Sequence, residues 1–269
     1  MNNVLSTKVS IFRNLKDYKF VPKLKDEEKQ EIKEKIEKLL DGKSTHITLF
    51  DGEHLTIESR VDGYSNTAFE QAKEVADYLS HKISFAYSDE YGYLMSDIKK
   101  IGAGVRLECE MCLDSIKVLG KMDQLRQNLA KLGYVLIETK LPSVYKISTM
   151  CNLGMGENQI REDFEKTIQK LQDLEVESIK ILDLNKHDEL MDKMCRSIAI
   201  LSSAYILTFD ELNKLIIHVR NGINLGLTNI KVETINKLQK LTQDQNQEFI
   251  SQSELKDLAS KVKSILKGE

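Results

Sequence analysis

Apolar positions in the first part of the chain switch repeatedly between a helical and an alternating spacing. Ile32, Ile36, Leu39 and Leu40 recur at helical intervals, which predicts a helix over Lys25–Leu40 that stops at Asp41-Gly42. Apolar and polar residues then alternate through His46–Phe50 and Leu55–Val61. Between them stands Asp51-Gly52, a dipeptide suited to a tight turn, so the two runs predict a β-hairpin. Thr67-x-x-Glu70 reads as a capping box ahead of Ala68, Ala72, Val75, Ala76 and Leu79, which predicts a second helix. Val105–Leu113 is the clearest strand: Val105, Leu107, Cys109, Met111 and Leu113 share one face, and Arg106, Glu108, Glu110 and Cys112 the other. A helix around Lys121–Leu132 ends at Gly133, and strands follow near Tyr134–Thr139 and Val144–Met150.

After Gly154 the spacing is helical almost throughout. Ile160, Phe164, Ile168 and Leu171 mark one helix, and Leu190, Met194, Ile198 and Leu201 another. Thr208-x-x-Glu211 caps a third, Leu238 and Leu241 belong to a fourth, and Leu255, Leu258, Val262 and Ile265 to a last. The expectation is an α+β fold: an antiparallel sheet flanked by helices over residues 1–180, then a helical unit over 181–269. Pro22 and Pro142 are the only prolines and no Ser/Gly-rich linker occurs, so the junction must be short. Leu and Ile lie on more than one helical face of Ile206–Leu227, which points to self-association through the C-terminal helices.

Charge narrows the function classes. Lys+Arg 39 against Asp+Glu 42 gives a net charge of −3, so no global basic field suits nucleic acid. The first twenty residues lack an apolar leader and no apolar run is long enough for a membrane span, so a cytoplasmic protein is expected. Cys109 and Cys112 have CxxC spacing, but no second pair or nearby histidine completes a zinc site. They read, with Cys151 and Cys195, as reduced structural thiols. His46, His54, His81, His187 and His218 are scattered without metal-ligand spacing.

Several segments, taken in order, resemble the guanidino kinases (the phosphagen, or ATP:guanido, kinase family). Ser6 to Leu15 resembles their opening strand S-S/T-R-I/V-R-L-A-R-N, Phe85 to Leu94 resembles YAFDxxYGYLT, and Gly102 to Arg106 resembles GTGMR. Tyr145 to Ser148 with Asn152-Leu153-Gly154 is similar to F/Y-Q-I-S-N-Q-x-T-L-G. Arg196 to Leu201 and Val219 to Leu227 look like RSxGIL and VRLGIDLG, which belong to the bacterial protein-arginine kinases. The resemblance runs roughly from residue 4 to 245. It implies a twisted antiparallel sheet flanked by helices, then a helical domain that in that branch mediates dimerisation and binds phosphoarginine.

Phosphoryl transfer depends on positioning and charge neutralisation, so this family's site uses several arginines, Mg²⁺ and carboxylates that hold and deprotonate a guanidinium. Here the resemblance shows losses. Lys8 and Ser10 stand for the arginines of the first strand, and Phe50 to Thr56 stand for NEEDHxR. Gly52 then takes the place of the key second carboxylate, and Thr56 that of a phosphate-binding arginine. Asp97 to Lys100 stand for CPTN. Ile137 stands near the arginine of a later loop, and the stretch from Glu138 to Ser143 is too short to hold that loop. Lys8, Arg13 and Arg106 remain as nucleotide-binding remnants, and Asp51, Gly52, Glu53 and Asp97 as degenerate catalytic positions. Lys256 and Asp257 fall near the phosphoarginine-binding pair.

Each of these residues also has a plainer reading. Arg106 fits a cross-strand ion pair with Glu108 or Glu110. Asp51-Gly52 fits a hairpin turn, Arg13 a surface residue or a structural contact, and Lys256-Asp257 a solvated helix face. The expectation is a pseudokinase without a cofactor, or with weak Mg²⁺-ATP binding at most. It would act by binding a protein as homodimer or heterodimer, the partner being an active arginine kinase or Clp-type stress machinery. Two alternatives stand beside it. One is an active protein-arginine kinase in which Lys8, Arg13, Arg106, Asp51 and Glu53 substitute for missing groups. The other is a structural or stress-associated protein that keeps only the fold.

Overall fold

The computed structural model describes residues 3–40, 46–150, 154–242 and 251–268. Asp41-Gly42, Cys151 and Asn152-Leu153 lie outside them. In chain order the elements are β1 (Val4–Arg13), α1 (Asp26–Leu40), β2 (His46–Leu49), β3 (Leu55–Asp62), α2 (Thr67–Ser80), β4 (Tyr87–Ser88), β5 (Gly92–Tyr93), β6 (Val105–Cys112), α3 (Asp114–Val118), α4 (Met122–Lys131), β7 (Tyr134–Glu138) and β8 (Val144–Thr149). Then come α5 (Glu157–Ser203), α6 (Phe209–Asn224), α7 (Val232–Lys240) and α8 (Gln252–Lys267).

Six strands form one sheet in the order β2-β3-β1-β6-β8-β7, and every neighbouring pair is antiparallel. β1 is central, with Ile11 opposite Ile57 on one side and Val105 on the other. Period two then sorts the residues. Val9, Ile11, Ile57, Val105, Leu107, Cys109 and Ile147 are buried in a core shared with Ile32 and Ile36 of α1, with α2 and with Phe164 and Ile168 of α5. Lys8, Ser10, Phe12, Thr56, Glu58, Arg60, Arg106, Glu108 and Glu110 occupy the opposite face. Burial raises the Cys109 thiol well above its ordinary range and the Cys112 thiol to about 12, so both stay protonated.

α5 is two helices that meet at a kink at Lys186 (φ −145°, ψ 35°), in keeping with the two helices that the sequence spacing suggests. A second core gathers around Leu201, Leu212, Ile216, Val219, Ile235, Leu238, Leu258 and Val262. Thr208 caps α6 by accepting from the Glu211 amide, as its spacing predicts. Thr67 does not cap α2: it is the first helical residue, and Asn66 before it makes no side-chain cap. Phe209, Leu212, Leu215, Ile216, Ile217 and Val219 are all buried. Much of the apolar surplus on α6 is therefore taken up inside the chain, whereas Ile206 ahead of it is exposed and Ile223, Leu225 and Leu227 are half-buried.

The two cores are joined by polar contacts as well as by α5. Asn224 donates to Asn3 Oδ1 at 2.8 Å, and Asn221 donates to Asp114 Oδ2 at 3.1 Å. Arg220 is fully buried beside them and donates to Asn236.

Candidate functional site

The polar face of the sheet ends at the β2–β3 connection. This is a five-residue loop, Phe50 to His54, closed by a hydrogen bond from the Phe50 amide to the His54 carbonyl, not the two-residue turn that Asp51-Gly52 suggests. Phe50 and Gly52 both have positive φ (63° and 78°). This backbone leaves Asp51 exposed and turns Glu53 and His54 fully inward.

A buried carboxylate needs donors, and Glu53 has several. Asn14 Nδ2 donates to it at 2.7 Å, the Ser96 amide at 2.8 Å and the Asp97 amide at 3.3 Å. Asn14 Oδ1 in turn accepts from the His54 amide at 2.8 Å. His54 Nδ1 accepts from the Leu15 amide at 3.0 Å, which fixes the tautomer: Nε2 carries the proton and meets the Lys19 carbonyl at 2.7 Å. Burial holds the His54 pKa below its ordinary value. These contacts tie the loop to the end of β1 and to residues 94–97. Asp97 contributes its side chain only as a local cap, accepting from the Lys99 amide.

Arg13 is buried and committed to the fold. Its Nη1 donates to the carbonyls of Phe12, Ala103 and Gly104, its Nη2 meets Glu157 Oε1 at 2.8 Å, and its guanidinium lies 3.5 Å from the centre of the Tyr93 ring. Gly104 makes this approach possible: a Cβ there would fall 2.8 Å from Arg13 Nη1 and 2.9 Å from the Phe12 carbonyl oxygen. Of the readings open for Arg13, the structural contact is the one observed.

Across the polar face, charges pair strand to strand. Lys8 Nζ meets Glu58 Oε1 at 2.6 Å, Arg60 meets Glu110 at 2.8 Å, and Lys146 meets Glu108 at 3.5 Å. Ser6 and Ser10 add hydrogen bonds to Glu110 and Glu58. The ion pair expected for Arg106 with Glu108 or Glu110, its neighbours along β6, is not made, because Lys146 and Arg60 from other strands hold both carboxylates. Among the described residues Arg106 has no ion pair, and its guanidinium lies 5.6 Å from the Phe12 ring centre. Lys100 approaches the same ring at 4.3 Å and Glu53 at 3.6 Å. Thr56 is buried with its hydroxyl unpartnered among the described residues.

Residues 4–178 match the ATP:guanido phosphotransferase C-terminal catalytic domain, and residues 187–265 match the protein-arginine kinase McsB C-terminal domain. The chain belongs to the ATP:guanido phosphotransferase family, in its bacterial protein-arginine kinase branch. It is 26% identical to the protein-arginine kinase of Clostridium acetobutylicum, over 98% of this chain and 94% of that protein. That alignment runs over 319 positions, more than the 269 residues of the whole chain, so stretches of the relative have no counterpart here. With the protein-arginine kinase of Bacillus licheniformis it shares 27% identity over 76% of this chain, but over only 59% of that protein. Two solved structures share the fold. The substrate-free duplicated taurocyamine kinase from Schistosoma mansoni superposes with a TM-score of 0.59 at 17% identity, covering 65% of this chain and 33% of that one. Lombricine kinase gives 0.56 at 14% identity, covering 64% of this chain and 66% of that one.

Against the guanidino-kinase pattern, sequence reasoning missed Asn14, Phe12 and Lys100. Asn14 was in view, as the last residue of the opening strand motif, but nothing in the sequence says that its amide clasps Glu53. Lys100 was likewise in view, as the last residue of the stretch that stands for CPTN, but nothing in the sequence says that its ammonium approaches Glu53 and Phe12. Lys256 and Asp257 sit exposed on α8, with the Lys256 ammonium 5.0 Å from the Tyr205 ring centre, far in the chain from the Glu53 cluster. The β7–β8 connection is short, and Glu138 at its start pairs with Lys117 at 2.9 Å. No group of three or more His, Cys, Asp or Glu side chains is placed to hold a metal among the described residues, and no described helix is long and apolar enough to cross a membrane.

Proposed function

We propose that this guanidino-kinase relative acts by binding another protein and not by catalysis. One observation carries the reading: the strand face that would meet a triphosphate is an ion-pair lattice of alternating sign. Three of its cations, Lys8, Arg60 and Lys146, are neutralised by Glu58, Glu110 and Glu108. A triphosphate needs several uncompensated cations, and among the described residues of this face Arg106 alone is left without a carboxylate partner. The residues present do not fit Mg²⁺-ATP. Gly52 offers no side chain as a base where the family resemblance expects a carboxylate.

The same chemistry speaks against the active-kinase alternative. Of the groups it requires, Lys8 is held by Glu58, Arg13 by backbone carbonyls and Glu157, and Glu53 by Asn14 and two amides. Within this reading the chain divides into a kinase-like part, 1–180, and a helical part, 181–269. It works in the cytoplasm, and its partner is an active arginine kinase or a component of Clp-type stress machinery, bound as homodimer or heterodimer. Pull-down from the host tests the partner. A thermal-shift titration tests the nucleotide: a native-state ligand at a hundred times its Kd adds about 2.7 kcal/mol. The expected result is no rise in Tm with Mg²⁺-ATP; a saturable rise overturns the reading.

A further inference from the structure

Lys100 is the cation of this site with the least conventional surroundings. Asp97 caps the short 3₁₀ turn Ile98–Lys100, leaving Ile98 and Lys99 exposed and Lys100 folded back towards the sheet, with 14% of its side chain exposed. Its ammonium lies 3.6 Å from Glu53 Oε1 and 4.3 Å from the centre of the Phe12 ring. On another side is the loop backbone: a Cβ on Gly52 would stand 3.7 Å from the Lys100 Nζ. A buried carboxylate, an aromatic ring and a glycine backbone together form a receptor for a small organic cation.

We propose that Lys100 is a built-in occupant of a cation site, and that the site, once vacated, takes a free alkylammonium or guanidinium group. Two features make the occupant replaceable. Among the described residues the Lys100 ammonium donates no hydrogen bond, so charge and the ring hold it, not directed contacts. Glu53 is fixed by Asn14 Nδ2 and by the Ser96 and Asp97 amides, so the carboxylate keeps its position when the lysine is removed. A chain that carries its own ammonium here turns away a guanidinium side chain from outside. This deepens the non-catalytic reading above and rests on it only for that consequence.

The test is cation rescue in Lys100→Ala. This variant is expected to melt below the wild type, because Glu53 loses its cationic neighbour. Propylammonium or guanidinium at millimolar concentration should restore the melting temperature, whereas sodium chloride at equal ionic strength should not. Wild type and Lys100→Met, whose apolar chain fills the space, should not respond. Lys100→Ala/Glu53→Gln should lose the rescue. A folded Lys100→Ala that responds identically to propylammonium and sodium overturns the proposal. If Lys100→Ala does not fold, reductive methylation of the wild-type chain decides: Lys100 should react much more slowly than Lys99, and Glu53→Gln should remove that protection. Equal rates at the two lysines overturn the proposal. None of these readouts depends on kinase activity, so their failure is distinguishable from failure of the non-catalytic reading.

Discussion

Arg13 Nη2 and Glu157 Oε1 meet at 2.8 Å, joining the end of the central strand to the first turn of α5 across 144 residues of chain. Lys73 of α2 reaches the other oxygen of the same carboxylate at 3.2 Å. The arginine is therefore the centre of a junction between β1, the Ala103-Gly104 backbone, Tyr93, α2 and α5. Removing Arg13 takes a donor from the Phe12, Ala103 and Gly104 carbonyls and leaves Glu157 with Lys73 alone, which costs about 1–3 kcal/mol. Arg13→Ala should lower unfolding free energy by that order in urea denaturation. An unchanged midpoint would place Arg13 among spare surface charges and contradict the junction.

His54 gives the site a pH dependence. Burial lowers its pKa below the ordinary 6.5, so the unfolded chain takes up a proton that the folded chain resists. The resulting stability is fully present above pH 6.5 and is lost as pH falls below it. Glu175 acts in the opposite sense. Burial on α5 raises its carboxyl from 4.5 to about 7, against the pull of the Ser115 and Ile116 amides, so its contribution is lost as pH rises through about 7. The wild-type profile mixes the two, and the comparison with His54→Gln isolates the first. That variant should be destabilised most at neutral pH, with a smaller deficit near pH 5.5. A deficit independent of pH contradicts the assignment of a buried neutral imidazole.

Thr56 stands where the family resemblance puts a phosphate-binding arginine, and its buried hydroxyl has no partner among the described residues. A buried unpaired hydroxyl costs about 1–3 kcal/mol, so removing it at nearly constant volume relieves that cost. Thr56→Val should be neutral or stabilising by about 1 kcal/mol in thermal melts. Destabilisation beyond that size would show that the hydroxyl serves a contact or ligand that the lattice reading omits.

The sheet was legible because burial on one face imposes period two: Val105, Leu107, Cys109 and Met111 announce β6 and its orientation at once. α6 was legible for the same kind of reason, with the Thr208 cap at its start. The site was less so. Asp51-Gly52 has the composition of a tight turn, yet Asn14, the Leu15 amide and the Lys19 carbonyl draw Glu53 and His54 inward and widen it to five residues. Those partners lie about 35 to 40 residues away in sequence, beyond any local rule. Arg13 likewise could not be assigned from its strand, since two of the carbonyls it serves follow 90 and 91 residues later. Arg106 was misjudged because pairing on this face is a competition: the strand gives its neighbours Glu108 and Glu110, but not that Lys146 and Arg60 claim them.

The proposed weak affinity for nucleotide rests on the same competition. Calorimetry with Mg²⁺-ATP should show no binding in the low micromolar range. Replacing Glu58, Glu108 and Glu110 by glutamine should release Lys8, Lys146 and Arg60 and strengthen whatever affinity exists, with the effect shrinking as salt is raised. A variant that binds ATP no better than wild type at low salt contradicts the lattice as the cause.

The most direct test of the central claim is incubation with Mg²⁺-ATP and an arginine-rich protein, read by mass spectrometry for phosphoarginine. A guanidinium must lose a proton as it attacks, and in the proposed reading Gly52 stands where the family resemblance expects a carboxylate base, beside a lattice in which three cations are already paired. The account expects no phosphoarginine above the level of a heat-denatured control. Robust product that disappears on Arg106→Ala would contradict it.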